Sequence, residues 1–172
     1  GAVVMNAGAY GYELSDILLR VDTVDKNGVI KRYSKDELDL GYRHSIFSDS
    51  NNDEVIFEIE LELKKSDPEA VALKMHELNE KRRLSQPLEL PSAGSAFKRP
   101  EGYFAAALID QAGLKGLRVG DAQVSEKHAG FIVNLGKARS KDVLTLISEI
   151  KGIIYEKYNV MLEEEIKIIG KE

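Results

Sequence analysis

Three residues best placed to do chemistry, Ser95, Lys98 and Arg99, fall inside one proline-bracketed stretch, residues 91–100. Pro91 and Pro100 keep either end from continuing a helix or a central strand. Gly94 frees the backbone to turn sharply just before Ser95. The stretch is expected to be a rigid loop presenting a hydroxyl with two cations close behind it, which suits an anionic substrate. A surface loop whose serines only cap neighbouring backbone groups would have the same composition. Arg43 adds a second candidate, a permanently charged fork suited to carboxylate or phosphate, although a lone loop arginine is equally consistent with solvated surface. The small residues of Asn6-Ala7-Gly8-Ala9-Tyr10-Gly11 would let backbone N–H groups approach a flat or phosphorylated ligand closely. A simple turn explains them as well. His44, His76 and His128 lack ligand spacing, so no metal site is expected, and His128 alone reads as a partly buried structural histidine. Neither a G-x-G-x-x-G nor a P-loop is present.

The elements that must carry these residues change character along the chain. Residues 1–5 are apolar and strand-like, with no initiator methionine, and read as the interior of something longer. Residues 18–25 read as a strand, with Asn27-Gly28 as a two-residue hairpin turn into residues 29–34. Ser34 and Glu37 have capping-box spacing for a short helix. From 55 to 64, Val55, Phe57, Ile59, Leu61 and Leu63 alternate with mostly charged residues, which predicts a half-buried strand. Ser66-Asp67-Pro68 starts a helix running to about Arg83, with Val71, Met75 and Leu78 on one side. Arg82 and Arg83 complement its dipole.

Beyond the central stretch, residues 103–112 are expected to be helical and to stop at Gly113. Residues 117–120 and 122–124 read as short extended pieces, and 131–134 as a compact strand. Ser140 is expected to cap a long helix to about Tyr158, with Val143, Leu146, Ile147, Ile150 and Ile154 inward. A last strand, 161–169, has Leu162, Ile166 and Ile168 on one face, which turns Glu163, Glu165 and Lys167 away from the core.

At 172 residues, 43% apolar and 31% charged, the chain is long enough for a substantial core. No run reaches the length of a membrane span, and nothing at the start resembles a signal peptide. The net charge of −5 argues against nucleic acid as main partner, so anion-binding residues must be concentrated locally. With no cysteine, disulfide and thiolate chemistry are excluded, which favours a cytoplasmic setting.

Six segments in this order resemble the UDP-N-acetylenolpyruvoylglucosamine reductase family of flavoenzymes. They are Met5-Asn6-Ala7-Gly8-Ala9-Tyr10-Gly11, Gly41-Tyr42-Arg43-His44-Ser45, and Gln86-Pro87-Leu88 leading into residues 91–100. Ala112-Gly113-Leu114-Lys115-Gly116, Val124-Ser125-Glu126-Lys127-His128-Ala129-Gly130-Phe131 and Leu162-Glu163-Glu164-Glu165-Ile166-Lys167 follow. The resemblance covers essentially the whole chain, and the short loops look like the branch of the family without an extra substrate-covering loop.

The resemblance implies an α+β fold: the end of a flavin-binding region in residues 1–65, then a two-layer substrate-binding domain in 66–172. It implies FAD and NADPH as cofactors and a UDP-sugar as substrate, reduced to UDP-N-acetylmuramate for peptidoglycan. It places the proton donor on Ser95, and carboxylate and enolate stabilisation on Arg43 and on Glu165 as a protonated acid. It assigns FAD contacts to Asn6, Gly8, Ala9, Tyr10 and Gly11, and substrate contacts to Tyr42, Lys98, Arg99 and His128. Arg99 departs from the asparagine common in the family, and His128 falls where another branch has glutamine. The family's N-terminal flavin lobe is not represented. The alternative is therefore a UDP-sugar-binding fragment without turnover, whose uncovered strand edge leads to self-association or disorder of residues 1–11.

Overall fold

The computed structural model describes residues 1–48 and 52–170. The chain divides into two compact units, Gly1–Asp67 and Pro68–Glu172. The architecture is α+β, with antiparallel pairing throughout the described strands.

In the first unit, β1 (Gly8–Ala9) and β2 (Tyr12–Glu13) form a tight hairpin. The two residues at its tip, Tyr10 (φ 53°) and Gly11 (φ 85°), are both left-handed, the geometry that matches strand twist in two-residue hairpins. A three-stranded sheet follows in the order β4-β3-β5, with β3 Leu18–Val24, β4 Ile30–Ser34 and β5 Val55–Leu61. Val3, Leu18, Val21, Leu38 and Phe47 form its core.

Several expectations for this unit need correction. Residues 1–5 are a compact turn, not a strand: Met5 N donates to Gly1 O (3.1 Å) and Ala7 N to Ala2 O (2.8 Å). Val3 is buried there, so residues 1–5 do not present the uncovered strand edge expected of them. The β3–β4 connection is the five residues 25–29, not a two-residue turn. Asp25 N donates to Val29 O and Gly28 N to Asp25 O, both at 3.0 Å, while the Asp25 carboxylate accepts from Asn27 N and Val29 N. That carboxylate mimics a backbone acceptor and stabilises the longer loop. Strand β5 exists, but Val55, Phe57 (53% exposed), Ile59, Leu61 and Leu63 are all solvent-accessible. Alternation says which side chains share a face, not whether another layer covers that face.

In the second unit, a four-stranded sheet runs in the order β6-β9-β8-β7. Its strands are β6 Ser92–Ser95, β7 Arg118–Val119, β8 Ala122–Val124 and β9 Phe131–Asn134. Helix α1 spans Pro68–Ser85, α2 Ala105–Gln111 and α3 Ser140–Tyr158. Helix α3 packs on β7 and β8 and against α2. It buries Leu146, Ile147, Ile150 and Ile154 among Leu108, Ile109, Val124 and Ile132.

Ser140 is the first residue of α3, and its capping comes instead from Asp142. Arg139 N donates to Asp142 Oδ2 (2.9 Å), and the Arg139 guanidinium holds the same carboxylate, keeping its pKa low. The expected amphipathic α1 buries no residue, and Met75 is 60% exposed. Its charges pair along its own surface: Glu77 accepts from Lys81 (2.6 Å) and Lys74 (2.9 Å), which lowers the Glu77 pKa to about 2. Its C-terminal end is tied down by Lys127 Nζ, which donates to Arg83 O (2.8 Å). The predicted last strand, 161–169, forms no regular strand; it is an extended segment with one bridge, Glu164 to Phe97.

Candidate active site

Ser95 stands at the end of β6, on the edge of the four-stranded sheet. Ser92 pairs with Val133 and Ser95 with Phe131, so three steps along β6 match two along β9. The extra residue is a bulge. It falls where Gly94 adopts φ 86° with open space around it, so glycine serves the backbone there rather than a close approach. Part of the expected loop is therefore strand, and the sharp turn at Gly94 is a bulge within it.

Past Ser95 the chain changes partners. Ala96 N still donates to Gly130 O (2.8 Å) in the sheet. Lys98 N then donates to Glu163 O (2.8 Å), and Glu165 N to Ala96 O (2.9 Å). The Ser95 stretch and the Glu165 segment therefore run antiparallel side by side, although 70 residues separate them in sequence. Ser95 and Glu165 are both half-buried. A mainly apolar cavity of about 310 Å3, lined by neither of them, opens between Pro91, Gly94, Ala96, Ile132, Val143 and Ile166.

The two cations behind the serine are engaged with protein groups. Lys98 forms an ion pair with the exposed Glu163. The Arg99 guanidinium lies 4.5 Å from the centre of the Phe104 ring, a cation–π contact that fixes the fork. Glu163 and Phe104 are thus the residues that orient the cations, and sequence reasoning missed both. A signal for Glu163 existed, in the run of three glutamates on the last extended segment.

His128 belongs to the turn feeding β9. Ser125 is buried, and its hydroxyl accepts from Lys127 N (3.1 Å) and His128 N (3.2 Å). His128 Nδ1 accepts from Gly130 N (3.1 Å), which puts the proton of the neutral ring on Nε2. Its ring meets Phe131 edge-on at 4.9 Å. Burial pushes the His128 pKa down, with a further push from the nearby Lys115 charge. A Cβ at Gly130 would come within 3.1 Å of the His128 ring and 3.2 Å of Ala106, so a larger residue in this turn requires the ring or Ala106 to give way. Gly130 links the histidine to the serine, since its carbonyl takes the Ala96 N–H.

The remaining candidates lie in the first unit. Tyr42 and Arg43 form the tip of a turn closed by two 3.2 Å hydrogen bonds between Gly41 and His44. Arg43 is left-handed (φ 54°), with its guanidinium 5.1 Å from the Tyr42 ring centre. The turn is anchored from within: buried Ser45 donates to Val4 O (2.7 Å), and Asn6 Nδ2 donates to Gly41 O (3.2 Å) and Glu13 Oε2 (2.8 Å). Asn6 Oδ1 accepts from Ser15 N (2.9 Å). Asn6 is buried and its amide is committed to these internal bonds. Tyr10 and Gly11 instead stand exposed at the hairpin tip, with Gly8 and Ala9 in the strand that supports them. No group of three or more His, Cys, Asp or Glu residues suited to a metal occurs among the described residues. No described helix is long and apolar enough to cross a membrane.

Residues 86–169 match the family model described as UDP-N-acetylenolpyruvoylglucosamine reductase, C-terminal domain. Among curated proteins, a UDP-N-acetylenolpyruvoylglucosamine reductase of Clostridium novyi is 51% identical over 172 residues, which is 100% of this chain and 55% of that protein. One from Alkaliphilus oremlandii is 50% identical over the same length, covering 56% of that protein. The crystal structure of the Thermus caldophilus UDP-N-acetylenolpyruvylglucosamine reductase superposes with a TM-score of 0.81 at 42% identity, over 96% of this chain and 58% of that one. The chain thus spans about half the length of the relatives it matches.

Proposed function

This chain belongs, through its C-terminal domain, to the UDP-N-acetylenolpyruvoylglucosamine reductase family, and from that premise we propose that it handles the UDP-sugar substrate of an NADPH- and FAD-dependent reduction giving UDP-N-acetylmuramate. The observation that carries this reading is the antiparallel contact between the Ser95 stretch and the Glu165 segment, both within the matched residues. Its setting is cytoplasmic peptidoglycan precursor synthesis.

The residues fit FAD in part. Tyr10 and Gly11, exposed at the hairpin tip and supported by Gly8 and Ala9, would hold it. Asn6 fits poorly as a direct ligand, because its amide is already committed inside the unit. When bound, FAD supplies the hydride that adds to C3 of the enolpyruvyl double bond. The chain's own residues manage the charge that this addition builds on C2 and the carboxylate. Ser95 delivers a proton from its hydroxyl to C2. Lys98, oriented by Glu163, supplies the positive charge that makes the serine alkoxide less costly. Glu165 holds the carboxylate end as it takes on enolate character. Arg99 and His128 bind the nucleotide-sugar, with His128 offering its Nε2–H as a donor.

Ser95→Ala tests the assignment. Flavin reduction by NADPH should stay within about twofold of normal, and transfer to the enolpyruvyl substrate should fall by about three orders of magnitude or more, because the hydroxyl acts only in the second half-reaction. Stopped-flow traces in which both half-reactions slow equally would overturn it.

A further inference from the structure

We infer that Lys151 of α3 is a positioning residue, whose ion pair with Glu164 fixes which of three consecutive glutamates stands beside the Ser95 stretch. Glu163, Glu164 and Glu165 are chemically identical neighbours, and among the described residues two backbone hydrogen bonds hold them to Ala96 and Lys98. A strand slipped by one residue turns every side chain to the opposite face, so so short a ladder needs another source of register.

Two features supply it, and they act on different slips. Leu162 is buried and Ile166 half-buried, and they share a face with Glu164. A one-residue slip would expose both, so the apolar pair resists odd slips. A two-residue slip keeps their face inward and would pass that filter. Lys151 Nζ, however, donates to Glu164 Oε1 at 2.8 Å, with both side chains about two-thirds buried. After a two-residue slip the ammonium would face Leu162 or Ile166 in place of a carboxylate, which is costly in a partly desolvated position. Lys151 follows Ile150 and precedes Ile154 on α3, both fully buried, so its backbone is a fixed reference. Lys98 pairs with Glu163 on the other face, which adds a restraint against the slip that would put Met161 in that place. The result sets Glu165 N on Ala96 O, next to Ser95.

The functional consequence of this register rests on the proposed roles of Ser95 and Glu165; the register itself does not. The test is residue-resolved amide exchange of the chain carrying Lys151→Met, which keeps most of the aliphatic stem and removes the charge. The Lys98 and Glu165 amides should lose about threefold to tenfold of their protection, as for loss of a part-buried ion pair. The Val124 and Leu135 amides, which donate to Leu117 and Asp121, should stay within about twofold. Lys151→Arg and the exchanged pair Lys151→Glu with Glu164→Lys should recover most of the loss. Unchanged protection at Lys98 and Glu165, a parallel fall across the whole sheet, or failure of Lys151→Arg to recover would each overturn the inference. In an enolpyruvyl reduction assay Lys151→Met should lower kcat with KM within about twofold. A loosened ladder with normal turnover would support the register device and count against the proposed role of Glu165.

Discussion

The two units solve the same problem, holding a polar side chain at a surface, by different means. The second unit sets Ser95, Glu165 and His128 on a close-packed apolar body. Its described core joins Phe97, Leu108, Ile109, Leu146, Ile150, Ile154 and eleven further buried residues into one cluster. The first unit has five buried apolar residues among those described and relies on charge. Asp22, buried in β3, accepts two 2.9 Å bonds from Arg32, and Arg20 bridges to Glu58 and Glu60 on the same face. Glu54 gathers Thr23 and Lys31 at 2.6 Å and Tyr33 at 3.0 Å. Apolar packing fixes position through many small contacts and resists salt and pH. Ion pairs fix orientation but add little net stability and respond to solvent conditions. The hydroxyl assigned to proton delivery is thus on the rigid body, and the Arg43 turn on the polar one.

The strongest way to break this contrast is Ile150→Ala. It should destabilise the second unit by about 2–5 kcal/mol, the range for a buried aliphatic truncated in a tight core. Amide exchange should show the loss in β8, β9 and α3 and spare β3–β5. Smaller in effect, Gly94→Ala should cost about 1–2 kcal/mol, from left-handed strain alone because the space is open. A melting shift near zero would show that the bulge relaxes freely.

Acid should separate the units by pH window. Arg32 holds the Asp22 pKa below its ordinary value, and Lys31 and then Thr23 do the same for Glu54. Their contribution is therefore present above the unfolded carboxylate range near pH 4 and lost as pH falls through the lowered folded values. His128 has a pKa lowered by burial. The second unit should thus lose stability as pH falls below about 6.5 towards the folded value, since the unfolded chain binds the proton first. Far-ultraviolet and residue-level melts should show the second unit weakening first and the first unit failing in stronger acid. His128→Gln should remove the earlier loss. The smallest effect belongs to α1: Glu77→Gln should loosen only that helix, and high salt should reproduce most of the change in its amide exchange.

Much of the local order was legible. The 3.6-residue spacing of Leu146, Ile147, Ile150 and Ile154 identified the buried face of α3, because a helix that long has one way to hide them. The Ser34–Glu37 spacing gave a capping box, with Ser34 N donating to Glu37 Oε2 at 2.8 Å. Less legible were residues whose environment comes from afar. Val55–Leu63 alternates like a half-buried strand and is exposed, and Met75 on α1 is exposed too. Asn6 looked like a ligand contact among small residues, yet it joins Glu13, Ser15 and Gly41.

By itself, the sequence determined the three helices, strands β3, β4, β5 and β9, the backbone freedom used at Gly94 and the set of residues able to do acid–base chemistry, because these depend on backbone freedom, side-chain chemistry and short-range periodicity. Only the tertiary structure decided that Ser95 and Glu165 are neighbours, that Lys98 and Arg99 are oriented by Glu163 and Phe104, and that Lys151 selects Glu164 from three equal glutamates. Such choices join residues far apart in the chain, 65 positions for Lys98 and Glu163 and 13 for Lys151 and Glu164. Their energies are set by burial and by the partner's position, which no local pattern carries.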